Sequence, residues 1–369
     1  MGTEPTLTIP IDTLRSFLVD IFKAAGCDDN TATLSAEGVI DADLHGHHIQ
    51  GTDHIYSTVA NLRAKRLNGR PNPRITHETP GTARIDGDGG PGHVTGLMAT
   101  DLAIKKAKIS GIAAVALVGG GDIFRLGYYV ERIAQAGLIG MTLTNTHPMR
   151  VHVPGGIDPI MGTNPIAFAF PCAGADPIVV DLATSTSAIG HVRQASYSNS
   201  PISAGIAIDR EGNPTTDAHK ALDGALTPLG GHKGFAIALA IGLLSGTMID
   251  AAIGERLRSA LAEGNGERSR GHLFIAIDPN AFGATNHAER TASYAAELKN
   301  SRKARDSDEI FMPGERGHAK KEGYARTGIP LLKSVWENTK KIAQDLGVDP
   351  PHIGSDSQLG VGYTKSRKV

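Results

Sequence analysis

Apolar positions recur along this chain in two rhythms, one helical and one of short continuous runs. Pro10–Ala25 and Asp29–Leu44 carry apolar residues at helical spacing, the second behind Asp28–Asp29–Asn30–Thr31, side chains suited to an N-cap. A third helix is predicted from about Asp53 to Leu67, stopping before Asn68–Gly69. Arg84–Asp86 reads as a short strand before a glycine turn, Gly96–Ser110 as a helix and Ala113–Val118 as an apolar strand. Gly127–Ala136 is again helical and Ile139–Thr144 a strand. Further strands are predicted at Ile166–Phe170, Ile178–Asp181 and His272–Ile277. Gly234–Leu244 is an apolar helix expected to be buried on most sides, and Ala284–Ala304 and Leu331–Leu346, with Trp336, are helices. Glu255–Arg270, charged and punctuated by Gly and Asn, reads as a surface excursion, and the tail after Asp349 as frayed. Strands alternating with helices in this way predict an α/β fold.

Composition narrows the function classes. The 37 basic and 38 acidic residues are spread evenly, so no clustered basic face serves a nucleic acid or an anionic membrane. Gly137–Leu143 and Ile237–Leu244 are too short or interrupted to span a bilayer. The start, Met1–Pro10, lacks a basic and apolar leader, and Cys27 and Cys172 form no metal or redox spacing. The expectation is a cytoplasmic protein without membrane or nucleic-acid partners. Glycine stands out at 45 residues, clustered at Gly87–Gly96, Gly119–Gly121, Gly155–Gly162 and Gly230–Gly234, where a backbone could approach a ligand.

No G-x-G-x-x-G follows a strand, and Gly119–Gly120–Gly121–Asp122 has the wrong spacing, so a Rossmann site is not expected. Four other segments ask for an explanation. Asp181–Leu182–Ala183–Thr184–Ser185 puts a carboxylate and then hydroxyls at a strand end. Pro228–Leu229–Gly230–Gly231–His232–Lys233–Gly234 puts a cation at a helix opening, where lysine opposes the helix dipole unless a phosphate sits beside it. Gly162–Thr163–Asn164–Pro165 and Thr144–Asn145–Thr146 are polar turns at strand ends. Taken singly, each is more simply a cap or a turn.

Together with ADLHG near Ala42, DGDGGPGH from Asp86, LTNTHP from Leu143, GHLFIAIDPNAF from Gly271 and FMPGER from Phe311, these segments resemble the type-2 malate/L-lactate dehydrogenase family. The resemblance runs from about Ile11 to Leu346. It implies a non-Rossmann α/β fold with a large mixed sheet and surrounding helices, usually homodimeric, which binds NAD or NADP. It also implies hydride exchange with a small carboxylate, a 2-hydroxy or 2-oxo acid or a cyclic imino acid. The cofactor would touch Val180, Asp181, Leu182, Ala183, Thr184, Ser185, His232, Lys233, Gly314, Glu315 and Arg316. Asp181 would orient the catalytic acid, and Gly121, Asp122, Thr144 and Asn145 would face the substrate. In domain terms, residues 1–80 with 285–350 form a helical, dimerising, substrate-side unit, 81–284 the dinucleotide unit and 351–369 a tail.

The resemblance breaks at the proton donor. Where relatives carry Ser-His-Gly, this chain reads Ile49–Gln50–Gly51, and an arginine expected four residues later is His54. The relatives' Asn-Ser-His-His-Phe-Gly loop becomes Gly119–Gly120–Gly121–Asp122–Ile123–Phe124. Glutamine can hydrogen-bond an oxyanion but delivers no proton, and a positioned acid is worth about 10²–10⁴ in rate. His45, His47, His48 and His54 crowd nearby, with spacing that scatters the first three rings around a helix, so no metal set is expected. On one helix His54 would share a face with Gln50. His54 is then the favoured donor, with Gln50 polarising the substrate oxygen and His48 and Asp122 in reserve. These imidazoles could equally be surface or cap groups. His191 and Arg193 could meet a 2′-phosphate. The alternatives are a lyase, isomerase or hydrolase reusing the scaffold, or a nucleotide-binding protein without catalysis.

Overall fold

Seven strands hydrogen-bond into the central sheet of the computed structural model, which describes residues 5–353 and 360–361. Strands are β1 Pro5–Ile9, β2 Arg74–Glu78, β3 Thr82–Asp86, β4 Ile112–Val118, β5 Ile139–Thr144, β6 Ile166–Phe170, β7 Ile178–Leu182, β8 Ala207–Ile208, β9 Pro214–Thr215, β10 Ala225–Leu226, β11 Gly271–Ile277, β12 Ile329–Leu332 and β13 Gly360–Val361. Helices are α1 Ile11–Ala24, α2 Asp29–Leu44, α3 Ile55–Arg63, α4 Gly92–Ser110, α5 Gly127–Gln135, α6 Ile189–Tyr197, α7 Ala218–Asp223, α8 His232–Ser245, α9 Gly254–Ala262, α10 His287–Lys299, α11 Glu315–Thr327 and α12 Lys333–Asp345.

The large sheet runs β2-β3-β4-β11-β5-β6-β7, antiparallel except for β3 beside β4, and is mixed as expected. Strand periodicity divides its core. Val115 and Leu117 face α4 and α5, packing with Tyr129, Val130 and Ile133, while Ala116, Leu143 and Leu273 face Ile241 of α8. A second core joins both ends of the chain: α1, α2, α3 and α12 close over β1 and β12, with Trp336 against Phe17. Gly360–Val361 adds a third strand beside β1, so this part of the tail is ordered rather than frayed. Residues 354–359 and 362–369 lie outside the described ones.

Three expectations are corrected. The helix drawn from Asp53 to Leu67 is instead two 3-10 turns, His48–Gln50 and Thr52–His54, followed by α3. Extended Gly51 separates the turns (ψ -133°), so Gln50 and His54 do not share a helix face. The surface excursion Glu255–Arg270 contains α9 and ends in a buried arginine, because Arg270 finds Asp122 and Glu267 as partners. The apolar helix α8 is not buried on most sides: only the stripe Gly234, Ala238, Ile241 and Ser245 is covered. Ile237 is 49% exposed, Leu243 45% and Met248 57%. With the turn after it, His232–Ile249 is long and apolar enough by composition to cross a bilayer, although one stripe packs on the sheet.

Arg125 joins the layers. Its guanidinium lies 2.6 Å from Asp41 Oδ2 on α2 and also bonds Glu131 on α5. Asp41, His45 and Glu131 converge like a metal-ligand set, but this guanidinium is already paired with both carboxylates. Breaking such a buried arrangement from one side typically costs about 3–5 kcal/mol. Arg125→Met is therefore expected to lower unfolding free energy by about that much. A urea midpoint unchanged from the parent protein would contradict the assigned role.

Candidate active site

Three distant segments meet at the β7 edge. Ser185 bridges to Pro228, and the Leu229 N–H donates to the Thr184 carbonyl at 2.8 Å. The Val179 N–H donates to the Pro313 carbonyl at 3.1 Å, bringing Gly314–Arg316 alongside. The segments expected to hold the dinucleotide are thus assembled: Val180–Ser185, His232–Lys233 and Gly314–Arg316. Helix α8 opens with no side-chain cap on its first N–H groups. Before it, Gly230 and Gly231 have φ of +59° and +65°, with open space where a Cβ would stand. Exposed His232 and Lys233 follow. Uncapped N–H groups, a cation and bare glycine backbone together fit a phosphate.

Not every expected contact keeps a free side chain. The Thr184 hydroxyl donates to Thr163 and Asn164 carbonyls, and that of Ser185 to Ser187, so both offer backbone instead. Glu315 bonds Lys299 and accepts the Met312 N–H at 2.8 Å, while Arg316 lies 4.3 Å from the Phe311 ring centre. Val180 and Leu182 are ordinary strand residues flanking Asp181, and Ala183 leads into the turn.

Asp181 sits at the strand end, open to solvent but crowded by the loop before α5. It accepts the Gly127 N–H at 2.7 Å. Burial pushes its carboxyl above the usual range, opposed by Arg125 and by that N–H. No hydrogen bond joins Asp181 to His54 or Gln50 among the described residues.

The segment bearing Gln50 is anchored from below. Asp43, fully buried, accepts from the Thr52 N–H at 3.0 Å, the Thr52 hydroxyl at 2.6 Å and His48 Nδ1 at 2.9 Å. His48 is thereby a structural anchor. Ile49 lies against Gly190 at the start of α6, where a Cβ would come 2.6 Å from Ile49 Cγ2, so this position has no room for a side chain.

His54 points elsewhere, into a cavity of about 170 Å³. With it stand Phe124, His93, Asp122, His147, Arg193, Glu267 and Arg270. Phe124, at φ +53°, stacks on His93 at 4.9 Å and meets His54 edge-on at 5.1 Å. Burial lowers the His54 pKa; Asp122 opposes the shift, and Arg270 and Arg193 add to it. Burial alone would raise the Asp122 carboxyl, but Arg270 and the Phe124 N–H outweigh it and hold it well below the usual range. His54 and Asp122, both singled out in the sequence, are therefore neighbours.

Gly121, Thr144 and Asn145 do not line this cavity. Gly121 packs its backbone on Leu67 and Gly90. The Thr144 hydroxyl bonds His272 Nδ1 at 2.7 Å, and Asn145 spans the Ala252 carbonyl and the Gly271 N–H at 2.8 Å each. The polar atoms of Thr144 and Asn145 hold β5 against β11, and none of these three residues, expected to face the substrate, lies in the cavity with His54 and Asp122. Arg270 and Glu267 carry no sequence signal, because charge in a Gly/Asn-rich stretch reads as solvated, and His93 and His147 lie inside resemblance motifs that give them no role.

The family description "Malate/L-lactate dehydrogenase" matches residues 9–340. The chain is 35% identical over 336 residues to L-sulfolactate dehydrogenase of Methanocaldococcus jannaschii, covering 91% of this chain and 96% of that one. It is 30% identical over 343 residues to the Delta(1)-pyrroline-2-carboxylate/Delta(1)-piperideine-2-carboxylate reductase of Pseudomonas putida, covering 92% and 98%. The crystal structure of malate dehydrogenase from Entamoeba histolytica superposes with a TM-score of 0.89 at 27% identity, covering 94% and 100%.

Burial depresses several imidazoles strongly, among them His93 to about 4 and His147 and His272 to about 3. Unfolded, each would titrate near about 6.5. Between about pH 4 and 6.5 the unfolded chain then binds protons that the folded chain does not, so stability rises with pH in that window. Below it, Asp122 adds a further loss, since its depressed carboxyl stabilises only while ionised. Urea titrations should show uptake of at least about two protons on unfolding at pH 5. Equal stability at pH 5 and pH 7 would refute this.

Proposed function

The chain belongs to the malate/L-lactate dehydrogenase family, and on that footing we propose that it is a nicotinamide-dependent oxidoreductase in which His54 moves the proton. The substrate is a small carboxylate, a 2-hydroxy or 2-oxo acid or a cyclic imino acid, and the cofactor is NAD or NADP. One observation carries the reading: the Val180–Ser185, His232–Lys233 and Gly314–Arg316 segments converge at β7, and α6 leads from there to the cavity that holds His54. A nicotinamide bound there would donate or accept the hydride. Lys233 and the first N–H groups of α8 would hold its phosphates.

Gln50 gives up no proton and does not line the cavity that holds His54, so proton transfer falls to His54. His54, with its lowered pKa, is largely neutral near pH 7 and is set to take a proton from a 2-hydroxyl. In the opposite direction it must first be charged, which the Asp122 carboxylate favours. Chemistry without net redox is not favoured, since the relatives are named dehydrogenases or reductases.

A screen of 2-oxo acids, 2-hydroxy acids and cyclic imines with each nicotinamide, followed by absorbance, tests the reaction. For a 2-oxo acid, His54→Ala should lower kcat by about 10²–10⁴. Reduction by the parent enzyme should slow as pH rises through the His54 pKa, and oxidation of the hydroxy acid should slow as pH falls through it. Full kcat in the variant would remove His54 from the mechanism.

The working unit in this reading is a homodimer. Helix α8 is apolar around its girth yet covered along one stripe, and a helix of that kind ordinarily has its other faces buried too. Leu243→Glu should convert the dimer to monomer in light scattering; a parent protein that is already monomeric at micromolar concentration contradicts the assignment.

A further inference from the structure

The cavity beside His54 holds more charge than proton transfer uses. Arg193, on α6, lines it, and its guanidinium forms no ion pair or hydrogen bond among the described residues. Its charge acts on His54 and on Arg150, and no acid is paired with it among the described residues. The Arg150 guanidinium is held below its ordinary value by burial and then by Arg193, and its Nε is buried without a partner. Arg193 is thus a cavity cation with no acid paired to it, and Arg150, outside the lining and donating to the Leu222 carbonyl at 3.3 Å, adds positive charge on that side, which together favour an anion.

Elsewhere the cavity wall has the opposite character. Arg270, buried, stands between two carboxylates: it meets Asp122 directly and Glu267 Oε1 at 3.2 Å. One guanidinium against two acids leaves this wall with a net charge of about -1. Arg270 also donates to His147 Nδ1 at 3.4 Å. The His147 proton is then on Nε2, which is buried without a hydrogen-bond partner and 3.8 Å from Glu267.

We infer that Arg193 holds the single carboxylate of the substrate, and that the Asp122–Arg270–Glu267 wall admits beside it a neutral or cationic group but not a second anion. The inference rests on the reading of this cavity as the substrate pocket. It places the protonated cyclic imino acid ahead of dicarboxylates and sulfonates, the substrate chemistry named for malate and sulfolactate relatives. An iminium arrives carrying its proton, so its reduction asks for none from the protein. For an oxo acid, His54 must still supply one.

Isothermal titration of the full-length protein, with and without NADH, tests this. The probes are pyrrole-2-carboxylate, a planar monoanion with an N–H donor, and malate, a dianion of similar size. Pyrrole-2-carboxylate should bind at least about tenfold more tightly than malate, and Arg193→Met should weaken it by about a hundredfold, the scale of losing one partner of a desolvated charge pair. Arg193→Lys should recover part of that loss, and Glu267→Gln should narrow the gap between the probes. Malate binding as tightly as pyrrole-2-carboxylate overturns the inference. So does Arg193→Met leaving pyrrole-2-carboxylate unaffected, including the case in which it weakens NADPH alone and so marks a 2′-phosphate contact. If neither NADH nor NADPH binds the parent protein, the oxidoreductase reading fails, while the charge preference is still decided by the titrations without nucleotide.

Discussion

A single buried guanidinium holds the architecture around the site together. Arg125 is the point at which α2, from the layer built by both chain ends, meets α5, which covers the central sheet. It sits in the loop between β4 and α5, and that loop reaches in two directions. Gly127 donates to Asp181 at the end of β7, and Asp122 enters the cavity to meet Arg270. A displaced Arg125 would leave two carboxylates facing each other in a dry interior and would loosen both ends of the loop at once.

The loop stores strain as well as charge. Phe124 adopts a left-handed backbone conformation, which a bulky residue takes only when its surroundings enforce it. His93 stacks on one side of the ring and His54 meets it edge-on. Asp122 accepts the Phe124 N–H at 2.9 Å, fixing the turn from beneath. Strain, aromatic packing and a paired acid thus converge beside the imidazole assigned to proton transfer. Such a concentration is expected where a side chain must be held in one pose.

The fold class was legible because its signals are repetitive: apolar strands alternate with helices, and β4, β5, β6, β7 and β11 fall within a residue or two of their predicted bounds. The glycine, hydroxyl and lysine motifs proposed to hold the nucleotide were legible as motifs, and the structure brings them together at β7. Legibility failed where a long-range partner decides the outcome. Arg270 is read as solvated until Asp122, far away in the chain, is known to lie beside it. Thr144 and Asn145 look like ligand contacts until His272 and Gly271 are seen to consume their hydrogen bonds. Gly51 breaks a helical period that spacing alone would carry from Gln50 to His54. The exposure of α8 was missed for a related reason, since a wholly apolar helix implies burial without saying which molecule provides it.

The two ends of that helix's role are mechanically one. Its opening turn adjoins Thr184 and Ser185, and the same rigid rod presents its uncovered flank away from the sheet. Whatever seats itself on the flank would favour one placement of the rod, and a coenzyme held at its tip, as proposed, would do the same. If both favour the same placement, self-association and coenzyme uptake become thermodynamically linked, each strengthening the other by an equal factor. Dilution would then act on this protein as a competitor for its own coenzyme.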